Sequence, residues 1–197
     1  MNNTRKIHIA IFASGTGTNA QMIINHFIDS ELLMIALIVC NKPQAGVLNI
    51  ASKEKIPALI IEKERYFKGD SYLPELEEFD IDFIVLAGFL WKIPSKIINA
   101  FAGKIINIHP ALLPKYGGKG MFGKYVHEMV IANKEKESGI TIHFVDELYD
   151  HGRIILQATC AIEEGDTPAS LARKIHVLEH IHYPSTIEKI IRNGLLS

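Results

Sequence analysis

A chain of 197 residues is long enough for one sizeable domain with its own core, or for one domain and a small appendage. Its composition, 48% hydrophobic and 22% charged, is that of a globular protein and excludes a largely disordered chain. The formal net charge of −1 excludes a general basic field that would collect nucleic acid, so an anionic ligand would have to be bound locally.

The sequence predicts neither a membrane span nor an export signal. Arg5 and Lys6 before the apolar run IHIAIFA imitate a signal peptide, but that run contains His8 and is short. A first β-strand explains it better, and no run approaches the roughly 20 apolar residues of a membrane helix. Cys40 and Cys160 lie in separate apolar stretches, which is typical of buried free thiols. We therefore expect a cytoplasmic protein in a reducing environment.

The first half of the chain alternates short apolar runs with longer amphipathic ones. Five strands are predicted: Ile7–Phe12, Met34–Cys40, Ala58–Ile61, Phe83–Ala87 and Lys104–Ile108. Four helices are predicted: Asn19–Phe27, Val47–Glu54, Tyr72–Phe79 and Ser95–Phe101. Strand–helix alternation with strands that lack polar residues indicates a parallel sheet covered on both faces. The sequence thus predicts an α/β fold with three layers, a mostly parallel central sheet flanked by helices, and a Rossmann-like N-terminal half.

The second half follows a different pattern. A loop rich in Pro and Gly over residues 110–123 precedes a short helix through Val126–Ala132. Two longer strands over Gly139–Val145 and Ile154–Ala161 come next. A last helix is predicted from near Thr167, with Asp166 or Thr167 as its cap, towards Arg192. Since no linker interrupts the chain, we expect a single domain over residues 1–197.

The loop after the first strand, Ala13–Asn19, is rich in Gly and short polar residues. Glycines let the backbone approach a ligand closely, and the following helix begins with unpaired amides, so the loop suits a phosphate group. The spacing Gly15-x-Gly17-x-x-Ala20 also fits the loose dinucleotide fingerprint of nicotinamide-dependent oxidoreductases. That class expects an acidic residue after the second strand, where Cys40–Lys42 stands instead. A monophosphate is therefore favoured, and a purely structural turn stays open.

Two further patterns resemble known motifs without their full chemistry. Gly118–Lys124 imitates a nucleotide-binding loop, but the next residue is Tyr125 rather than the Ser or Thr that binds magnesium. His176, Glu179 and His180 match an inverted zinc-protease pattern. A third ligand for that pattern is not evident further along the chain, so we predict no metal site.

The stretch INIHPALLP carries the clearest chemistry. Side chains alternate along a strand, so Asn107 and His109 are expected on the same face. Both fall at the carboxyl end of a predicted parallel strand, which is where open α/β sheets bind ligands, and Pro110 ends that strand. A carboxamide can hydrogen-bond a developing oxyanion while an imidazole moves protons, so the pair favours acyl-type transfer.

Four blocks together resemble the formyltransferase family that uses 10-formyltetrahydrofolate, and within it the members that act on glycinamide ribonucleotide. They are SGTGTN at Ser14–Asn19, VLAGFLWKI at Val85–Ile93, NIHPALLPKYGG at Asn107–Gly118 and GITIHFVDELYDHGRIILQ at Gly139–Gln157. The resemblance runs essentially from end to end of the chain. It implies the formyltransferase fold and transfer of a formyl group from the folate, as co-substrate, to the amine of the ribonucleotide in purine biosynthesis.

The resemblance also implies roles for single residues. The catalytic residues would be Asn107, His109 and Asp150. The ribonucleotide would be held by Gly17, Thr18, Asn19 and Glu179. The folate would be bound by Leu90, Trp91, Lys92, Ile93 and Asn107, with the backbone of Asp146–Asp150. His143 would have only a supporting role.

The implied mechanism is direct transfer, in which the amine attacks the formyl carbon. Asn107 and a protonated His109 would hold the oxyanion, and Asp150 is expected to raise the pKa of His109 by charge pairing. The expected partners are the two small molecules, with neither nucleic acid nor membrane, and the protein is expected to be a monomer or homodimer. No metal is expected to take part.

Some positions depart from the family pattern and leave alternatives open. The loop 117–125 is rich in Gly and Lys where many relatives carry a histidine, and Trp91 and Lys92 stand where Arg is frequent. The resemblance therefore assigns no phosphate or folate contacts to the loop 117–125, and the grip on the folate at Trp91 and Lys92 stays open. Hydrolysis of formyl-folate and formylation of another amine acceptor are alternatives, although members with such activities usually have an additional domain. A non-catalytic nucleotide-binding module would leave Asn107, His109 and Asp150 unexplained.

Overall fold

The computed structural model describes residues 5–194. Within this range the chain forms two compact units. The first contains the residues up to Ile105 together with those from Ile190 onward, and the second contains Ile106–Lys189. The expectation of a single domain over residues 1–197 stays a prediction.

The first unit is built from alternating strands and helices. Its strands are β1 (Ile7–Ala13), β2 (Leu33–Cys40), β3 (Ala58–Ile60) and β4 (Phe83–Leu86). Its helices are α1 (Thr18–Phe27), α2 (Gly46–Glu54), α3 (Lys63–Lys68), α4 (Leu73–Glu78) and α5 (Ser95–Ala100). β1 is parallel to both β2 and β4, and β2 is parallel to β3. This is the strand–helix alternation that the sequence predicts.

The core of the first unit lies along β1 and β4. Residues Ile9–Ala13 and all four residues of β4 are buried, because helices pack on the sheet and leave no face for polar side chains. Helix α3 was not predicted from the sequence. It is short and polar, with Tyr66 as its only buried residue, so the sequence shows no apolar periodicity that would predict a helix there.

The second unit contains most of strand β5 (Ile105–His109), helix α6 (Lys124–Ala132), strands β6 (Glu137–Phe144) and β7 (Ile154–Ala161), and most of helix α7 (Pro168–Arg192). β6 is antiparallel to both β5 and β7. Thr167 caps α7, since its Oγ1 accepts a hydrogen bond from the backbone N–H of Ser170 at 3.2 Å. The predicted elements differ from the observed ones at their ends by a residue or two.

The strands form one seven-stranded sheet with the order β3-β2-β1-β4-β5-β6-β7. The fold is therefore α/β with a mostly parallel sheet flanked by helices, as predicted. No helix within residues 5–194 combines the length and the apolar composition that a membrane crossing requires.

Candidate active site

The end of β5 presents two polar side chains. Asn107 is half-buried and His109 is buried, between apolar neighbours that fill the core. The strand ends at His109, one residue later than predicted, and Pro110 follows. Both side chains reach the same cluster of polar groups, because alternate residues of a strand share a face.

Asn107 is held by the neighbouring strand. It faces His143 in the antiparallel pairing of β5 with β6, and its Nδ2 donates to His143 Nε2 at 3.1 Å. His143 Nδ1 lies 2.8 Å from the carbonyl oxygen of Phe144, which can only accept. His143 therefore donates through Nδ1 and accepts at Nε2, which orients the Asn107 carboxamide. Sequence reasoning gave His143 only a supporting role, and a histidine directly opposite Asn107 is the signal for this contact.

His109 and His143 flank one carboxylate. His109 Nδ1 lies 3.6 Å from Asp150 Oδ2, and His143 Nε2 lies 3.7 Å from Asp150 Oδ1. The backbone N–H of Gly118 donates to Asp150 Oδ2 at 2.9 Å, which fixes the carboxylate. The second unit thus brings together the three predicted catalytic residues, Asn107, His109 and Asp150.

Burial sets the charge of His109. Removal from water favours the neutral imidazole and lowers the pKa of His109, although the charge of Asp150 and the hydrogen bond to Tyr116 both raise it. Asp150 thus raises the pKa of His109 as expected, but burial outweighs the charge pairing, so the expectation of a protonated His109 is wrong. At neutral pH the imidazole is uncharged.

Asp150 shows the opposite balance. Burial alone would raise the pKa of Asp150, but the nearby His143 and His109 side chains and the hydrogen bond from the Gly118 N–H together lower it. The carboxylate is ionised at neutral pH and lies beside a neutral imidazole. Such a group stabilises any proton that the imidazole gains.

The loop before α1 has the conformation expected of a phosphate cradle. Gly17 precedes α1 with φ 83°, and no side chain caps the helix there. A side chain at Gly17 would also meet Ile50 Cδ1 at 2.8 Å and Val47 Cα at 2.9 Å, so only glycine fits. Thr18 is exposed and Asn19 is half-buried at the start of the helix. The positive end of the α1 dipole therefore lies beside this loop.

The predicted folate segment is joined to this loop within the first unit. Ser14 Oγ accepts from the backbone N–H of Leu90 at 2.9 Å, and the Ser14 N–H donates to the Gly88 carbonyl at 3.1 Å. Leu90 is 39% exposed and Lys92 is exposed, whereas Ile93 is buried. The segment thus presents an apolar side chain to solvent from a fixed backbone.

Trp91 is supported by aromatic rings that sequence reasoning missed. Its ring lies 5.6 Å from those of Tyr66 and Phe67 on α3, and 6.4 Å from that of Phe89. Phe67 is itself exposed. Because α3 was not predicted, the packing of its aromatic rings against Trp91 could not be predicted from the sequence.

Glu179 is buried on α7. Its Oε2 accepts from His176 Nδ1 at 2.9 Å, and the rings of His176 and His180 stack at 6.2 Å. The negative charge of Glu179 also raises the pKa of His109, although burial outweighs it.

In the described part of the chain, no three His, Cys, Asp or Glu side chains gather as metal ligands. That no metal takes part stays a prediction.

Residues 7–187 match the family model described as formyl transferase. The chain is 37% identical over 187 residues to phosphoribosylglycinamide formyltransferase of Bacillus subtilis, covering 92% of this chain and 93% of that protein. It is 38% identical over 192 residues to the chloroplastic phosphoribosylglycinamide formyltransferase of Arabidopsis thaliana, covering 94% of this chain. The chain spans 66% of the length of that plant relative.

A solved structure has the same fold. The crystal structure of phosphoribosylglycinamide formyltransferase from Bacillus halodurans superposes with a TM-score of 0.85 at 38% identity. The match covers 93% of this chain and 95% of that one. The likeness therefore extends over both units.

Proposed function

Because this chain belongs to the formyl transferase family, we propose that it transfers the formyl group of 10-formyltetrahydrofolate to the amine of glycinamide ribonucleotide, a step of purine biosynthesis. The observation that carries this proposal is the cluster at the end of β5. There Asn107, a neutral His109 and an ionised Asp150 lie together. The reaction belongs in the cytoplasm, and its partners are these two small molecules.

Asn107 is the donor to the oxyanion. When the amine attacks the formyl carbon, the carbonyl oxygen gains negative charge. Asn107 Nδ2 carries two hydrogens, and His143 orients the carboxamide by accepting one of them. The second is left for the substrate oxygen. Removal of one such donor costs about 10²–10³ in rate.

His109 moves the proton. The attacking amine must lose a proton as the new C–N bond forms, and the N10 nitrogen of the folate must gain one as its bond to the formyl carbon breaks. A neutral imidazole can accept the first proton, and Asp150 stabilises the resulting imidazolium from 3.6 Å. The imidazolium then gives the proton to N10. The carboxylate stays ionised throughout.

Binding of the two substrates is assigned to residues outside this cluster. Gly17, Thr18 and Asn19 hold the phosphate of the ribonucleotide, supported by the uncapped start of α1. Glu179 accepts from the hydroxyls of the ribose.

The folate lies against Leu90, Trp91, Lys92 and Ile93. The exposed Leu90 and the supported Trp91 suit the flat apolar face of a pteridine ring. Asn107 serves this substrate as well, because its carboxamide contacts the formyl oxygen. The enzyme works as a monomer or homodimer.

The test is a rate assay with purified protein, glycinamide ribonucleotide and the dideaza analogue of 10-formyltetrahydrofolate. Release of the deformylated folate is followed optically. Turnover should require the ribonucleotide, and Asn107→Ala should lose at least about 10²-fold in kcat. Folate release without ribonucleotide would indicate a hydrolase, and release only with a different amine would indicate another acceptor. Either result would overturn the proposal.

A further inference from the structure

The backbone carbonyl of Tyr116 contacts His109 directly. Its oxygen lies 2.7 Å from His109 Nε2. A carbonyl oxygen only accepts hydrogen bonds, so Nε2 carries the hydrogen and donates it. In the neutral imidazole, Nδ1 then bears the lone pair. This contact decides which nitrogen of His109 can take a proton.

Two acceptors compete for the single hydrogen of the neutral ring. The Asp150 carboxylate favours a hydrogen on Nδ1, and the Tyr116 carbonyl favours one on Nε2. The distances decide between them, because 2.7 Å to Tyr116 is a short hydrogen bond whereas 3.6 Å to Asp150 exceeds hydrogen-bond length. The structure therefore selects the tautomer that leaves Nδ1 basic.

Tyr116 holds its carbonyl in place with an unusual backbone conformation. Its φ is 57°, in the left-handed region that non-glycine residues seldom occupy. Residues in this region persist only where the surroundings hold them there. The neighbouring Gly117 lets the chain pass close by, since an added Cβ would lie 2.5 Å from Leu113 Cδ2 and 3.3 Å from Asp150 Cβ.

The side chain of Tyr116 holds this backbone in place through hydrogen bonds. Its hydroxyl donates to Glu135 Oε1 at 2.8 Å and accepts from Asn133 Nδ2 at 3.0 Å. Lys115 also reaches Glu135 Oε1 at 3.0 Å, and hydrogen bonds from Tyr116 and Lys115 lower the pKa of Glu135. The acceptor is thus an ionised carboxylate just after α6, and charge-assisted bonds of this kind are the stronger ones.

We propose that Tyr116 is a positioning residue for His109: its hydroxyl, bound to Glu135 and Asn133, fixes the backbone whose carbonyl keeps the hydrogen on Nε2 and leaves Nδ1 to take the proton of the attacking amine. The proposal deepens the proposed function and rests on it for the identity of the amine. The tautomer itself is a property of the free protein and needs no substrate. The two can therefore fail separately.

The first measurement is the tautomer of His109 by nitrogen-15 NMR in the intact chain, at a pH where the ring is neutral. Wild type should show a protonated Nε2 and an unprotonated Nδ1. Tyr116→Phe, which removes only the hydroxyl, should shift the population towards a protonated Nδ1. Glu135→Ala removes the carboxylate that accepts from the Tyr116 hydroxyl and should shift the tautomer population in the same direction.

The second measurement is the rate of formyl transfer. One weakened hydrogen bond corresponds to a loss of about 3- to 10-fold in kcat for Tyr116→Phe, with KM unchanged. Tyr72→Phe is the matched control, since it removes the hydroxyl that accepts the backbone N–H of Glu62 at 2.8 Å in the first unit. That control should leave both the tautomer and kcat as in wild type.

The outcomes separate clearly. A wild-type ring protonated on Nδ1 would overturn the proposal, and so would a tautomer that stays unchanged in both Tyr116→Phe and Glu135→Ala. A shifted tautomer in those variants supports it, whichever amine the enzyme formylates. Failure of the proposed function alone would show as a correct tautomer with no turnover of the ribonucleotide.

Discussion

Replacement of Asp150 by Asn tests the electrostatics of the site directly. The change removes the negative charge beside His109 and keeps an oxygen that can accept the Gly118 N–H. At 3.6 Å and an effective dielectric constant of about 20, a full charge pair is worth about 4 to 5 kcal/mol. Because Asp150 keeps some contact with solvent, the effect is smaller than that full value, and we expect the pKa of His109 to fall further.

The assay is an NMR titration of the His109 ring in wild type and in Asp150→Asn. Asp146→Asn is the control, since it removes an exposed carboxylate that lies 3.2 Å from His151 Nδ1. It should leave the pKa of His109 unchanged. The kcat for formyl transfer should fall about 10²-fold or more in Asp150→Asn, because the imidazolium loses its counter-charge. An unchanged or raised pKa of His109 in that variant would refute the reasoning.

Three further predictions concern packing and stability. Gly117→Ala places a methyl group 2.5 Å from Leu113 Cδ2, so we expect a loss of about 1 to 3 kcal/mol in urea unfolding and a lower kcat; wild-type values for both would contradict the packing described. Thr167→Ala removes the cap of α7 and should cost about 1 kcal/mol in the same assay, with full activity retained. Burial lowers the pKa of His109, so the unfolded chain binds a proton before the folded chain does as the pH falls below about 6.5. The stability that the neutral His109 contributes is therefore complete above that pH and is lost on acidification. The urea midpoint of wild type should fall more steeply below that pH than the urea midpoint of His109→Gln.

The sequence predicted the chemistry of β5 because that signal is local. Asn107 and His109 share a face by strand alternation, and Pro110 ends the strand, so neither depends on distant residues. The prediction that Asp150 is catalytic came from the family resemblance rather than from residue spacing. A carboxylate in a loop carries no sign in the sequence of which histidine it will face.

The remaining features of the site depended on tertiary structure and could not be predicted from the sequence. The protonated state of His109 was predicted wrongly, because burial outweighs the charge of Asp150 and depends on the packing of the whole unit. The Tyr116 contact was missed because it uses a backbone carbonyl in a left-handed conformation, which leaves no mark on residue type. The support of Trp91 by α3 was missed because that helix is too short and polar to show a period.

The fate of the formyl carbon tests the account most directly. Purified protein is mixed with glycinamide ribonucleotide and a 10-formyl folate labelled with carbon-13 in the formyl group, and the products are identified by NMR. The account predicts that the label appears in the formamide of the ribonucleotide in wild type, and that its rate of appearance collapses in His109→Ala. Label recovered as formate, or equal rates in the two proteins, would contradict it.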